Sequence, residues 1–294
     1  LTQQYQHLSP NAKAMLDKSN AERIEAIRQE KWINYPAADR ILADFEQLLI
    51  YPKRDRMPCR LLIAESNNGK TSLLRKFRRG YPADPNIEGD AANIPVLFAI
   101  LNGPDERMIY RELLKGLFEQ IPHNPKPGDL QDQLISVLLR VKPKMIMLDE
   151  VNTLITGTTS KTQACFNALK YITNRTGIPI VAAGTREALN GFKTDPQIEN
   201  RFEPRRLELW GPGKELQVFL KAYEYLTPLQ KPSNLWSKTM TEDIRHKTNG
   251  LIGEIASLIS TAATYAIGSG EEQITESVLN NCGYVPIHRR KQMR

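Results

Sequence analysis

From residue 60 the chain alternates short, solidly apolar runs with longer amphipathic stretches. Strands are read near 60–63, 94–101, 144–148, 178–183 and 205–209, several of them solidly apolar, and helical spacing marks 70–79, 105–120, 128–141 and 160–175. Strands that lack polar alternation suit a parallel sheet covered on both faces, so an α/β core is predicted. Ahead of it, residues 1–35 read as helical, with Ser19 and Glu22 at capping-box spacing before Ile24 and Ile27. Pro36 suits a helix start, and Ile41, Leu42, Phe45, Leu48 and Leu49 then form one apolar face. After Gly211-Pro212-Gly213 the strands stop, and helices are predicted near 213–226, 240–248, 251–267 and 274–282. The expected organisation is an N-terminal helical extension (1–52), an α/β core (53–210) with a surface insertion at 80–93, a helical module (211–285) and a basic tail (286–294).

Two strand ends carry chemistry. Residues 61–71, LLIAESNNGKT, run from an apolar strand through a polar turn into a helix, the layout of a phosphate-binding P-loop. The backbone of Asn67, Asn68 and Gly69, with the helix start at Lys70, Thr71 and Ser72, would wrap the phosphates; Lys70 adds a point charge and Thr71 a hydroxyl for Mg²⁺. The tripeptide Gly-Lys-Thr alone would also fit a plain surface turn, and Ala64 stands where the pattern wants its first glycine. The second strand end supplies what the first lacks. Met145 to Leu148 lead into Asp149-Glu150, and in an open α/β sheet ligands bind beyond the carboxyl ends of the strands. Asp149 is placed to hold the Mg²⁺ that Thr71 touches, and Glu150 to orient or activate a water. That glutamate argues for hydrolysis over small-molecule phosphorylation.

A third strand, IPIVAA, ends in Gly184-Thr185, where Thr185 could touch a γ-phosphate or the water, although a Thr after a Gly is also an ordinary turn residue. Arg201, Arg205 and Arg206 surround the fifth strand. An exposed arginine there is positioned to reach a neighbouring subunit as an arginine finger, and the residues alone do not choose among the three.

Composition narrows the setting. Hydrophobic residues make up 40% and charged residues 25% of 294, an ordinary globular balance. No apolar run approaches membrane-spanning length and no signal peptide is visible. The cysteines Cys59, Cys165 and Cys282 are scattered, without a metal or disulfide pattern, which suits a reducing cytoplasm. The chain opens on Leu1, so it reads as part of a longer product. A net charge of +7 favours a polyanionic partner.

The order of these features resembles an AAA+ ATPase, and more closely the TniB/TnsC transposition ATPases. The resemblance is carried by WINYPAADRIL (32–42), YPKRDRMP (51–58), SNNGKTSLLRKFRR (66–79), IMLDE (146–150), VAAGTREAL (181–189), ENRF (199–202) and TNGLIGEIASLISTAA (248–263). It implies a parallel sheet of strand order 5-1-4-3-2 with a C-terminal helical lid. It implies ATP and Mg²⁺ as cofactors, assembly into rings or helical filaments on double-stranded DNA, and two protein partners, a DDE-type transposase and a TniQ-type targeting protein. By the family pattern Lys70 and Thr71 are Walker A residues and Asp149 and Glu150 Walker B residues. Thr185 falls at sensor 1, and Arg201 is the finger. Arg107, Arg111 and Lys161 fall on loops that would line DNA, with contacts to phosphates. The lid departs from the pattern: Gly250-Leu251-Ile252-Gly253-Glu254 offers no sensor-2 arginine. The basic tail after Pro286 is expected to touch transposase or DNA. A helicase-loader role and a DNA-independent signalling NTPase are the alternatives that the same core would serve.

Overall fold

The computed structural model describes residues 5–54, 56–84 and 93–290. Helices α1 (Pro10–Ala14), α2 (Asn20–Arg28) and α3 (Pro36–Leu49) come first. The alternating region follows: β1 (Cys59–Ile63), α4 (Lys70–Arg79), β2 (Val96–Ile100), α5 (Glu106–Gly116), α6 (Pro127–Val141), β3 (Met145–Asp149), α7 (Thr159–Thr176), β4 (Ile180–Gly184), α8 (Arg186–Phe192), α9 (Pro196–Glu199) and β5 (Phe202–Arg206). Helices α10 (Lys214–Tyr225), α11 (Lys238–Thr248), α12 (Ile252–Ser269), α13 (Glu276–Asn281) and α14 (Ile287–Arg290) close the chain. The chain divides into two compact units, Ala37–Glu208 and Leu1–Pro36 with Leu209–Arg294. The segment read as one N-terminal extension is thereby shared between them. Most of the insertion expected at 80–93 lies outside the described residues.

The first unit is built on a five-stranded sheet of order β2-β3-β4-β1-β5, parallel throughout, which is the expected 5-1-4-3-2 read from its other edge. Every residue of β1, β3 and β4 is buried, as central strands covered on both faces must be. Edge-to-face contacts from Phe166 to Phe192 and from Phe192 to Phe202, both 5.2 Å between centroids, join the covering helices to the sheet. Burying each such ring stabilises the unit by about 1.5–3 kcal/mol. Helix α3 adds the face read from its spacing, with Ile41, Phe45, Leu48 and Leu49 buried and Phe45 against Phe77.

Strand β5 corrects the predicted 205–209. It lies at Phe202–Arg206 and buries only Phe202. The apolar run LELW misplaces it because an edge strand needs little apolar surface, and Pro204, which donates no ladder hydrogen bond, is tolerated there. Burial pushes the Cys59 and Cys165 thiols up to about 12, so both stay protonated packing residues.

The second unit is helical. The Ser19–Glu22 capping box is formed at α2. Arg23 and Glu272 make a buried pair (Nη1 to Oε1 2.8 Å), and Arg23 Nη2 also donates to Pro228 O. Tyr35, Trp210, Phe219 and Tyr223 form an aromatic row, and Gly250 lies against it. Gly250 has φ +69°, its carbonyl accepts Trp210 N at 2.9 Å, and a Cβ there would collide with Trp210 O. The TNGLIGE segment therefore needs glycine at 250 for close backbone approach. Where a sensor-2 arginine was sought, Glu254 is buried and accepts from Tyr284 (2.5 Å) and Arg290 (2.9 Å). The described part of the basic tail is thus folded onto α12. Among the described residues no single helix is long and apolar enough to cross a membrane.

Candidate functional site

Strand β1 continues one residue past its end, Ala64 N donating to Gly184 O at 3.2 Å, before the chain turns. Asn67 (φ +62°) and Gly69 (φ +83°) take left-handed conformations, which asparagine and glycine adopt most readily. Ala64 is not among the positive-φ residues, so its methyl group carries no conformational cost in place of glycine. Helix α4 then starts at Lys70 with no side chain capping it, leaving the positive end of its dipole for an anion.

Lys70 is buried, and its Nζ donates to the carbonyls of Ala64 (2.8 Å) and Glu65 (2.9 Å). Burial pulls its pKa down, opposed by the carboxylates of Glu150, Asp149, Glu65 and Glu187. Thr71 Oγ1 donates to Asp149 Oδ2 at 2.6 Å, and Asp149 Oδ1 accepts Glu150 N at 2.9 Å. This bond ties the P-loop to the end of β3. Glu150 is half-buried at φ +58°, a left-handed conformation that costs a non-glycine residue roughly 1–2 kcal/mol. Such strain clusters at functional sites. Thr185 follows β4, whose Gly184 is paired with Ile63, so it sits beside the root of the P-loop. Its hydroxyl donates to Glu187, which holds the Glu187 carboxyl below its usual range; Lys70 contributes to the same shift.

The sequence-predicted site residues therefore fall into separate groups. Gly69, Lys70, Thr71, Asp149, Glu150 and Thr185 gather at the carboxyl edge of the sheet, with Ser72 in the first turn of α4 and Asn67 exposed on the loop. Asn68 stands on the same loop, and its side chain is buried and donates to Leu207 O (2.9 Å) and Glu208 O (3.2 Å), so it fastens the loop to the exit of β5. Glu187 is the residue that sequence reasoning missed; only its place two positions beyond Thr185 could have flagged it.

Arg201 departs from the exposed arginine expected beside the fifth strand. It is buried at the amino end of β5, where its carbonyl accepts Cys59 N. Its Nη1 donates to Thr173 Oγ1 and Asn174 Oδ1, and its Nε is buried without a partner among the described residues. Burial lowers its pKa. In this conformation it does not reach outward as a finger. Arg205 pairs with Asp44 at 2.9 Å, and Arg206 alone of the three is exposed.

The three residues expected at DNA lie on α5 and α7. Arg107 is exposed and bonded to its own helix cap, Asp105 (2.7 Å); Arg111 is half-buried and Lys161 exposed. Gly157 lies against Pro104 and Lys161, which brings the loops before α5 and α7 together and sets Lys161 on the same surface as the Arg107–Asp105 pair. Arg107 and then Lys161 are among the charges that hold the Asp105 carboxyl low.

The hydroxyl–carboxylate pair of Thr71 and Asp149 is a hard-oxygen donor set of the kind Mg²⁺ takes, with its remaining ligands from phosphates and water. Among the described residues no cluster of three His, Cys, Asp or Glu could hold a metal by itself. The two groups fit a nucleotide-bound Mg²⁺, and the uncapped helix with Lys70 fits the phosphates.

A family model described as "Bacterial TniB protein" matches residues 23–212. Among curated proteins none matches the chain. Solved structures with a similar fold include the Aeropyrum pernix ORC2 protein in ADPNP–ADP complexes (TM-score 0.61, 16% identity, 90% of this chain and 73% of that one). The Aeropyrum pernix ORC1 protein in complex with DNA (0.64, 13%, 92% and 69%) and Cdc6p from Pyrobaculum aerophilum (0.62, 16%, 85% and 67%) are also similar. At these identities the likeness shows the fold alone, an α/β core on a parallel five-stranded sheet.

Proposed function

The chain belongs to the bacterial TniB family, and from that premise we propose that it is an ATPase that assembles on duplex DNA and brings a DDE-type transposase to its target, with a TniQ-type protein as targeting partner. The observation that carries the hydrolytic part is the Thr71–Asp149 hydrogen bond with Glu150 beside it, which joins phosphate loop and carboxylates in one site. Lys70 is held by two neutral carbonyls, which anionic phosphate oxygens outcompete as acceptors. Thr71 and Asp149 would hold Mg²⁺, which supplies counter-charge to the phosphoryl oxygens. Glu150 orients the attacking water and accepts its proton. Thr185, steadied by Glu187, offers a hydroxyl at the same edge. Arg206, exposed at the end of β5, is the arginine we assign to a neighbouring copy's site.

For DNA, the net charge of +7 and the surface shared by Arg107 and Lys161, with Arg111 on the same helix as Arg107, support contacts to phosphates that tolerate any sequence. Electrophoretic binding to random-sequence duplex, with and without a non-hydrolysable ATP analogue, tests the reading. Binding should require the nucleotide and fall steeply with salt, and Lys161→Ala should reduce the salt slope by about one. Duplex binding that ignores the nucleotide would overturn the ATP-dependent assembly, and no binding at all would remove DNA from the proposal.

A further inference from the structure

At the amino edge of the same sheet, opposite the P-loop, the ends of α3 and α6 meet the segments that enter β3 and β4. Between them lies a cleft of about 410 Å³. Its apolar lining includes Ile50, 77% exposed at the end of α3, and Leu139, 47% exposed on α6. Large aliphatic side chains held this far out in one cleft mark an interaction surface more than a packing remnant.

Among the described residues the charge of the cleft has one sign: Lys53, Lys142 and Lys144 line it, all exposed and none in an ion pair, and no carboxylate is among the described lining residues. Helices α6 and α7 both end here on left-handed caps, Lys142 and Gly177. Their last carbonyls add about half a negative charge each, which three full ammonium charges outweigh. We propose that this cleft docks an acidic amphipathic segment of a partner protein, with apolar side chains on Ile50 and Leu139 and carboxylates on Lys53, Lys142 and Lys144. A nucleic acid backbone offers nothing apolar to cover Ile50, and a second copy of this chain brings the same net positive charge of +7. The inference stands apart from the nucleotide site and does not rest on it.

The test uses the full chain and fluorescent synthetic peptides. One carries leucines at helical spacing with glutamates between them, and a second has lysines in place of the glutamates. The first should bind and the second should not. Ile50→Glu with Leu139→Glu should weaken the first by about tenfold or more, and a thermal melt should show this double variant folded, since both side chains are exposed. Lys142→Glu with Lys144→Glu should invert the preference, so that the lysine peptide binds. Equal binding of both peptides, or of neither, overturns the proposal. So does a loss of duplex affinity in the lysine variant without peptide binding, which gives the cleft to nucleic acid. A change in sedimentation of the Ile50 variant without peptide binding gives it to a second copy and overturns the proposal equally.

Discussion

Arg201 borders the first residue of β5 and Arg206 is its last, and their surroundings are opposite. Arg201 is buried on Thr173 and Asn174, whereas Arg206 is exposed. Removing Arg201 strands buried acceptors, so Arg201→Ala should cost about 1–3 kcal/mol of stability. Arg206→Ala should leave the melting temperature within a degree or so of the parent, a change expected of a surface position. It should slow ATP hydrolysis only under conditions where copies assemble. Thermal melts and phosphate release across protein concentration check both, and the account of the two arginines fails if the effects are exchanged. The letters ENRF read the same whether the arginine points out or in, because burial is a property of what packs over it. Lys70, Thr71, Asp149 and Glu150 were legible for the opposite reason. That they gather at one sheet edge follows from their following apolar strands, a signal contained within a few residues.

Elements were readable where the hydrophobic period was strong. The strands β1, β3 and β4 and the face of α3 follow from their apolar spacing, and the capping box of α2 from Ser19 and Glu22. The edge strand was not, since FEPRR buries one residue and is fixed by its register on β1. The short α9 shows how little sequence an element needs once a cap is shared. Asp195 accepts from Gln197 N (2.8 Å) and Ile198 N (3.1 Å) at the start of α9, and from Gln163 (2.9 Å) and Lys170 (3.0 Å) on α7. Burial would raise its pKa, but the hydrogen bonds from Gln163 and Lys170 and those from the backbone outweigh it and lower the pKa to about 2. A carboxyl depressed on folding stabilises the fold above its unfolded value near 3.8, and that stability is lost as pH falls toward 2. Asp195→Asn should therefore cost about 1–2 kcal/mol at neutral pH and flatten the acid limb of the stability curve between those values. An unchanged limb in urea unfolding at each pH would remove Asp195 from this role.

At the scale of the whole molecule, the sheet unit carries both edges that matter. The carboxyl edge holds the proposed nucleotide site, and the amino edge holds the lysine-lined cleft. The strand order and the helical second unit were legible from the resemblance together with the run of strands. The tail's attachment to Glu254 was not, because Tyr284 and Arg290 meet it across α12 and α13. If duplex binding requires ATP, as proposed, hydrolysis at Glu150 should release the protein from DNA. This central claim is tested most directly by following retention on random-sequence duplex after ATP addition, for the parent chain and Glu150→Gln side by side, with nucleotide affinity measured in the same samples. The variant should bind ATP normally, lose about a hundredfold or more in phosphate release, and stay on the duplex while the parent leaves. Equal departure of the two with hydrolysis lost in the variant, or hydrolysis that survives the substitution, would contradict the account.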